Sequence, residues 1–483
     1  MANPLNDRRA GLLLHPTSLP DSRAGGCLGH KALRFIDFLK QCGFSVWQTL
    51  PLGPTHDDGS PYQCMSVHAG HAGMISTDDL IARGWLEPGQ RLSDTALTQA
   101  RLGFERHAHE GDRAAFAGFR EHHSAWLDDY ALFRAIRQVQ GGASWLDWPV
   151  PLRDRDAGAL HAFRSEHADA YEQVCFEQFV FFSQWNAVRD YAHQSDIALF
   201  GDIPIFVSHD SADIWCHRDL FSLSASGRPE VVAGVPPDYF SSTGQRWGNP
   251  LYRWDRIMSD DFKWWLERIE SQLGLFDILR LDHFRGFEKY WEIPASADTA
   301  IHGRWVAAPG EALFERLQQV YGQLPLIAED LGIITPEVEA LRDRFELPGM
   351  KILQFAFGGG TDNPYLPHNH VRRSVVYTGT HDNDTTLGWY RQCDEAQRRT
   401  VNEYLGNSTE PMPWPLIRAA FASVARLAVI PMQDILELGS EHRMNMPGTI
   451  GHNWAWHFEW EQVTEGLDDR LRQLIQLYGR SRN

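Results

Sequence analysis

Acidic side chains stand at or near the ends of several short apolar runs in the sequence. Asp202, Asp282, Glu329 and Asp382 all occupy such positions. Two carboxyl groups can cleave a sugar acetal when one is protonated and donates to the leaving oxygen, while the other is ionised and attacks the anomeric carbon. The recurrence of acids at these positions therefore indicates chemistry on a glycosidic bond.

Asp282 and Glu329 fit the two roles best. Asp282 follows Arg280 by two residues on the same predicted strand, so both side chains point to one side of it. The cation is expected to hold the carboxylate ionised, as a nucleophile requires. Glu329 follows the apolar run 324–328. Partial burial beside another carboxylate raises a carboxyl pKa, which suits a general acid.

Metal binding is the other natural use of such a cluster, and the sequence favours it less. His209, His283 and His381 stand singly, without the spacing that places two histidine ligands on one element. Hard-cation sites usually draw several Asp or Asn ligands from one loop. A metal-dependent barrel hydrolase remains the corresponding alternative.

Structural roles are the plainer alternative for each residue. A lone Asp at a strand end often caps a helix or bonds within a loop, and Asp382 could cap the helix that follows it. Arg280 could pair with a structural acid. Four acidic strand ends in one chain favour the catalytic interpretation, in which His381 and Asp382 bond sugar hydroxyls.

Two aromatic residues stand apart from the 18 Trp and 13 Tyr, most of which are expected in the core. Trp247 lies in the stretch 244–250, which is rich in Gly and Pro and is predicted to be a loop. Its ring could stack on the apolar face of a glucose unit, as could Tyr62 in the stretch 59–63. Tyr239, beside Asp238, is a weaker candidate. Packing within loops is the alternative for all three rings.

Eight short apolar runs, separated by amphipathic segments, would place these residues. The runs are 12–15, 45–50, 197–205, 276–281, 324–328, 350–355, 374–377 and 427–430. Several are hydrophobic at nearly every position, which is typical of parallel strands buried on both faces. The sequence therefore predicts an α/β fold, a (β/α)₈ TIM barrel spanning residues 1–483, whose active site lies at the carboxyl ends of the strands.

Two gaps between the predicted strands are much longer than the others. The gap after the second strand predicts an inserted, mostly helical subdomain over about residues 60–190. The gap after the third strand predicts a loop-rich insertion over about residues 206–275, containing a helix near 262–273.

Composition narrows the class of partner and the compartment. The 483 residues carry 45 basic and 63 acidic side chains, a net charge of −18, which argues against nucleic acid and suits a neutral substrate. No apolar run approaches the roughly 18 residues of a membrane span, so neither a membrane nor secretion is expected. Six cysteines without zinc spacing predict reduced thiols in a cytoplasmic protein.

Seven motifs, taken in order, resemble those of a known family. They are LLHPTSLP at 13–20, SPYQ at 60–63, GVPPDYF at 234–240, WGNPLY at 247–252, RLDHFRG at 280–286, AEDLG at 328–332 and GTHDN at 379–383. Their order and spacing across nearly the whole chain are similar to those of the amylomaltases, the 4-α-glucanotransferases related to the α-amylase superfamily. No single motif decides the resemblance.

The resemblance implies a role for each candidate residue. Asp282 is expected to be the nucleophile, Glu329 the general acid/base and Asp382 a carboxylate that stabilises the transition state. The other residues expected to bind substrate are Arg280, His381, Asp202, Tyr62, Asp238, Trp247 and Asn453. No redox cofactor and no catalytic metal are expected.

The expected reaction is a retaining double displacement on α-1,4-glucans and malto-oligosaccharides, with glucose or maltose among the acceptors. An α-glucan hydrolase and a glucan-binding protein without catalysis are the alternatives. The chain departs from the family pattern at 26–30, 67–71 and 448–453. These departures concern loop geometry and acceptor preference and leave the catalytic residues unaffected.

Overall fold

The computed structural model describes residues 4–237, 241–449 and 451–481. The strands are β1 (Arg9–Leu13), β2 (Val46–Gln48), β3 (Ala198–Ile203), β4 (Val231–Val235), β5 (Gln245–Pro250), β6 (Ile278–Leu281), β7 (Lys289–Pro294), β8 (Arg304–Ala307), β9 (Leu326–Ala328), β10 (Gly349–Ile352), β11 (Ser374–Tyr377) and β12 (Leu427–Pro431).

The helices are α1 (Ser22–Gly25), α2 (His30–Cys42), α3 (Thr77–Ala82), α4 (Asp94–His107), α5 (Glu110–His122), α6 (Ser124–Val139), α7 (Val150–Arg153), α8 (Ala157–Glu166), α9 (Ala168–Gln194), α10 (Ala212–Cys216), α11 (Trp254–Ser259), α12 (Lys263–Leu275), α13 (Gly310–Tyr321), α14 (Pro336–Arg344), α15 (Thr386–Gln392), α16 (Glu395–Tyr404), α17 (Trp414–Ala422), α18 (Met432–Ile435) and α19 (Leu467–Leu477). Among the described residues, none of these helices has both the length and the apolar character of a membrane span.

Eight of the strands form a parallel sheet that nearly closes into a barrel. Their order is β10-β11-β12-β1-β2-β3-β6-β9. At the seam, the Ala328 N–H in β9 donates to the carbonyl of Pro348, just before β10, at 2.9 Å. These eight strands coincide with the eight predicted runs, and the predicted (β/α)₈ fold is confirmed.

Alternation along each strand separates the barrel interior from the layer of helices. In β3, Ala198 and Phe200 pack into the interior cluster, while Leu199 and Ile203 pack toward the helices. Ile278 in β6 and Ile327 in β9 also belong to the interior cluster. Successive side chains of a strand point to opposite faces, so residues two positions beyond these interior positions face the barrel mouth.

The two long gaps hold different structures. Residues between β2 and β3 contain the helices α3 to α9. The second predicted insertion, 206–275, contains β4 and β5, which join β7 and β8 from beyond it in an antiparallel sheet of order β5-β4-β7-β8.

The prediction that Trp247 lies in a loop is wrong, because the residue belongs to strand β5. This strand pairs with β4 through an irregular register, and Gly248 within it has a φ of 85°. A glycine tolerates that left-handed conformation, so a stretch of turn-type composition can still form a strand.

Candidate active site

Asp202 in β3 and Arg280 in β6 lie next to each other, and Asp282 directly follows β6. Arg280 donates from Nη1 to Asp202 Oδ2 at 2.7 Å and forms an ion pair from Nη2 to Asp282 Oδ1 at 2.8 Å. Although burial lowers the pKa of Arg280, the two carboxylates raise it well above its usual range. The guanidinium therefore stays charged and holds Asp282 in place, which confirms the predicted contact.

Asp202 lies beneath the other groups and is 1% exposed. Burial raises the pKa of its carboxyl, and Arg280 opposes that rise. Its Oδ2 also accepts the hydroxyl hydrogen of Tyr62 at 2.7 Å. The Tyr62 ring stacks on His381, with ring centroids 5.1 Å apart and an interplanar angle of 18°. Asp202 thus connects Arg280 to the stacked rings of Tyr62 and His381.

Glu329 lies at the end of the strand next to Asp282. Leu281 in β6 pairs with Ala328 in β9, so the two acids follow paired positions. The N–H of His283, directly after Asp282, donates to Glu329 Oε2 at 2.7 Å, and the Leu331 N–H donates to Oε1 at 3.1 Å. These contacts fix the Glu329 carboxyl beside the loop that carries Asp282.

The pKa of Glu329 is raised to about 8, chiefly by burial and further by the charge of Asp282. Arg280 and the His283 N–H act in the opposite direction without reversing the shift. The raised pKa matches the expectation from sequence. At neutral pH this carboxyl carries a proton, whereas Asp282 is paired with a cation. The two acids therefore stand in different electrostatic environments.

Asp382 lies at the mouth, with 47% of its side chain exposed. Its Oδ2 lies 3.2 Å from His381 Nε2, and its Oδ1 accepts from Asn445 Nδ2 at 2.6 Å. Desolvation raises its pKa, but His381, followed by Asn445, lowers it to about 2. The helix-cap alternative does not apply, because Thr385 caps α15 by accepting from the Gly388 N–H. Asp382 is therefore an exposed, ionised carboxylate.

Aromatic rings stand on both sides of these acids. The Trp247 ring meets His283 edge to face, with centroids 4.8 Å apart. On the other side, the centroid of the Trp454 ring lies 5.9 Å from that of Tyr62 and 6.0 Å from that of His381. A cavity of about 210 Å³ adjoins this second side, and Pro61, Trp454, Trp456, His15 and His71 are among its lining residues. The mouth is thus a polar floor between aromatic walls.

The remaining predicted residues have different outcomes. Asn453 accepts the Met446 N–H at 3.0 Å and donates to the Thr449 carbonyl at 3.0 Å, so its amide ties together the segment just before Trp454. Asp238 and Tyr239 lie outside the described residues.

Sequence reasoning missed several groups of this site. Asn445 and Trp454 were not singled out, nor was the backbone N–H of His283. Arg443, which donates to the Asp382 carbonyl at 2.9 Å, was missed as well. The signal available for Arg443 and Asn445 is their place in a polar stretch after the eighth strand. A search for acids alone overlooks it.

Within the described part of the chain, no group of three or more His, Cys, Asp or Glu side chains is arranged to hold a metal ion. The site offers a carboxyl group with a raised pKa at Glu329, and at the adjoining strand end the Asp282 carboxylate is held by a guanidinium. Such a pair can donate a proton and attack carbon at the same linkage.

Known proteins are similar to this chain in sequence and in fold. A family model described as 4-alpha-glucanotransferase matches residues 14–463. A 4-alpha-glucanotransferase of Thermus thermophilus is 50% identical over 97% of this chain and 98% of its own length. A chloroplastic or amyloplastic 4-alpha-glucanotransferase of Arabidopsis thaliana is 42% identical over 99% of this chain and 87% of its own length.

Among solved structures, an amylomaltase from Streptococcus agalactiae in complex with acarbose superposes with a TM-score of 0.95. It is 34% identical, and the match covers 98% of this chain and all of that one. A second amylomaltase structure, from Corynebacterium glutamicum, has a TM-score of 0.75 at 17% identity and shows the shared fold.

Proposed function

Because this chain belongs to the 4-alpha-glucanotransferase family, we propose that it moves α-1,4-glucan segments from a donor glucan to an acceptor glucan or to glucose. Malto-oligosaccharides serve as donors, and glucose or maltose is among the acceptors. The substrate is neutral, which suits a chain of net charge −18.

The unequal environments of two neighbouring carboxyl groups carry this proposal. The pKa of Glu329 is about 8, so the group enters the reaction protonated. The Asp282 carboxylate lies 2.8 Å from the Arg280 guanidinium, which holds it in place. A general acid and a nucleophile are therefore available at adjoining strand ends.

The reaction then proceeds by two displacements at the anomeric carbon. Asp282 attacks that carbon while Glu329 gives its proton to the leaving 4-oxygen, so the bond to the leaving chain breaks as the glucosyl ester forms. The ionised Glu329 then takes the proton from the 4-hydroxyl of a second glucan. That oxygen attacks the anomeric carbon, the bond from this carbon to the Asp282 carboxylate breaks, and the α configuration is retained.

The groups around this pair serve the charge that develops in the transition state. Asp382, with its pKa lowered to about 2, remains an anion and stabilises the positive charge of the oxocarbenium-like sugar. His381 bonds hydroxyls of the reacting glucose unit, and Arg280 holds the nucleophile Asp282. Tyr62 and Trp247 line the groove on either side of it.

Transfer exceeds hydrolysis when the groove binds sugar and excludes water from the ester. The aromatic walls formed by Trp247 on one side, and by Tyr62 and Trp454 on the other, support that part of the proposal. A sugar acceptor that buries these rings gains binding energy that water lacks.

Incubation with maltotriose tests the function directly. The proposal predicts free glucose together with chains longer than maltotriose. A hydrolase would give only shorter chains, and a binding protein would leave the chain lengths unchanged. Either of these two results would contradict the proposal.

A cytoplasmic location belongs to the same proposal. All six cysteines are free thiols in the structure, and free thiols are typical of a reducing compartment. Fractionation of cells followed by an activity measurement tests the location, and activity outside the cytoplasmic fraction would contradict it.

A further inference from the structure

A buried carboxylate outside the reacting pair is bonded to the segment that carries His381 and Asp382. Asp434 lies in α18, just after β12, and is 1% exposed. Its Oδ2 accepts the hydroxyl hydrogens of Thr378 and Thr386, each at 2.6 Å. Its Oδ1 accepts the Thr386 N–H at 2.7 Å. Three short hydrogen bonds thus converge on one carboxylate.

The two threonines mark the two ends of the catalytic turn, defined here as residues 378–386. Thr378 directly follows β11, and Thr386 is the first residue of α15. Both side chains are fully buried. His381 and Asp382 lie between them, so one carboxylate fixes where the turn leaves the strand and where it enters the helix.

The segment after β12 also supports the interior of the catalytic turn. Asn445 holds the Asp382 side chain at 2.6 Å, and Arg443 holds the Asp382 carbonyl at 2.9 Å. The hydroxyl of Ser440 donates to Asp384 Oδ2 at 2.7 Å. Arg443, Asn445 and Asp434, which all hold the catalytic turn, therefore come from the same stretch of chain after β12.

We propose that Asp434 is a positioning residue for glucan transfer, which holds the catalytic turn so that His381 and Asp382 face the reacting sugar. This inference rests on the proposed function. Asp434 itself touches no reacting atom and acts only through the turn. A group that positions a catalytic side chain affects the chemical step more than substrate binding, because small displacements matter most in the transition state.

The conservative variant Asp434→Asn isolates this role. Its side chain keeps the shape of aspartate, but only one of its terminal atoms can accept hydrogen bonds. The amide nitrogen then faces hydroxyls that donate to a carboxylate in the wild type. We expect kcat for maltotriose disproportionation to fall about 10-fold or more, with KM changed by less than about 3-fold.

Asp277→Asn is the matched control. Asp277 accepts the Leu199 N–H at 2.8 Å and contacts His193 at 3.0 Å, but it lies just before β6, at the other face of the barrel. We expect Asp277→Asn to lower the midpoint of thermal unfolding while leaving kcat near that of the wild type. A purely structural Asp434 would behave in the same way.

Paired threonine variants test the contact even if Asp434→Asn fails to fold. Thr378→Val and Thr386→Val keep the shape of the side chain but lose the hydroxyl. Thr378→Ser and Thr386→Ser keep the hydroxyl. The inference predicts that each Val variant loses kcat and that the corresponding Ser variant recovers it. Equal kcat in Val and Ser variants, or a folded Asp434→Asn with wild-type kcat, would overturn it.

The wild-type protein separates this test from that of the function. If wild-type protein gives no longer chains from maltotriose, the proposed function fails. If wild-type protein transfers glucan and the Asp434 and threonine variants match it, only the positioning role fails.

Discussion

At the scale of single residues, the reaction depends on the contrast between Asp282 and Glu329. The Arg280 guanidinium binds Asp282 at 2.8 Å, while burial and the charge of Asp282 raise the pKa of Glu329 to about 8. Asp282 therefore has two roles: it is the nucleophile, and its charge adds to the effect of burial in keeping Glu329 protonated.

Activity should depend on pH through Glu329. Because its pKa is raised, the protonated form persists at neutral pH and is lost as the pH rises through about 8. A profile of kcat/KM between about pH 3 and 10 should therefore fall on its basic side near pH 8. Asp382, with a pKa lowered to about 2, contributes no limb in this range. A basic limb that begins near the ordinary glutamate value, about 4.3, would contradict the assignment.

Tyr62→Phe tests the hydrogen bond from the Tyr62 hydroxyl to Asp202. The variant keeps the ring that stacks on His381 and removes the hydroxyl that donates to Asp202. A hydrogen bond to a charged group is worth roughly 1.5–3 kcal/mol, so kcat/KM should fall about 10- to 100-fold.

Tyr191→Phe is the matched control for this variant. The Tyr191 hydroxyl likewise donates to a carboxylate, that of Asp37, at 2.8 Å, but it lies in α9 away from the barrel mouth. Its activity should equal that of the wild type. Equal losses in the two variants would show that the Tyr62 hydroxyl has no special role.

At the scale of elements, the barrel strands could be predicted because they are buried on both faces. Every residue of β1, β3 and β12 is buried, so an apolar run alone identifies them. The acids near the ends of the barrel strands could be predicted from the same pattern. The antiparallel strands were not predicted, because β4 pairs with β7 from beyond the insertion, and short-range patterns do not record such pairing.

The missed site residues have a similar explanation. Asn445 and Trp454 come from the stretch after β12, where no periodic pattern marks them, and His283 contributes a backbone N–H. His283 itself has a φ of 50°, a left-handed conformation that could not be predicted from its residue type. Their roles depend on which distant segments meet at the barrel mouth.

The side chain of Asn453 offers a prediction at this scale. It bonds the Met446 N–H and the Thr449 carbonyl. Asn453→Ala removes both bonds and loosens the chain before Trp454, so KM for maltotriose should rise about 5-fold while kcat stays nearly constant. Steady-state kinetics measure both constants.

Asn402→Ala serves as the control for that variant. Asn402 lies in α16, where its side chain accepts the Tyr390 hydroxyl at 2.9 Å. Its kinetics should match those of the wild type. A loss of kcat rather than a rise of KM in Asn453→Ala would place Asn453 in the chemical step instead.

At the scale of the whole molecule, Arg480 joins several segments at the face of the barrel opposite the active site. Arg480 is fully buried and donates to the carbonyls of Arg9 at the start of β1 and of Arg426 just before β12. It also donates to the carbonyls of Phe421 and Ser423 near the end of α17. One side chain thus joins the start of β1 to the segment between α17 and β12.

Arg480→Met should destabilise the protein without changing its catalysis. The variant removes the six hydrogen bonds that the guanidinium donates to backbone carbonyls. This loss should lower the free energy of unfolding by about 3 kcal/mol or more and the unfolding midpoint by about 5 °C. Scanning calorimetry measures the midpoint. Arg472→Met, which alters a side chain that is 42% exposed, should change it little. An unchanged midpoint for Arg480→Met would refute the proposed role of Arg480.

Trapping of the glucosyl-enzyme tests the central claim, that Asp282 bonds to carbon while Glu329 moves the proton. Glu329→Gln is incubated with α-maltotriosyl fluoride, whose fluoride leaves without protonation. Without Glu329 the second displacement is slow, so a covalent adduct should accumulate, and mass spectrometry of peptides should place it on Asp282. The double variant Asp282→Asn, Glu329→Gln should form none. An adduct on any other residue, or fluoride release by the double variant at the rate of Glu329→Gln, would contradict the account.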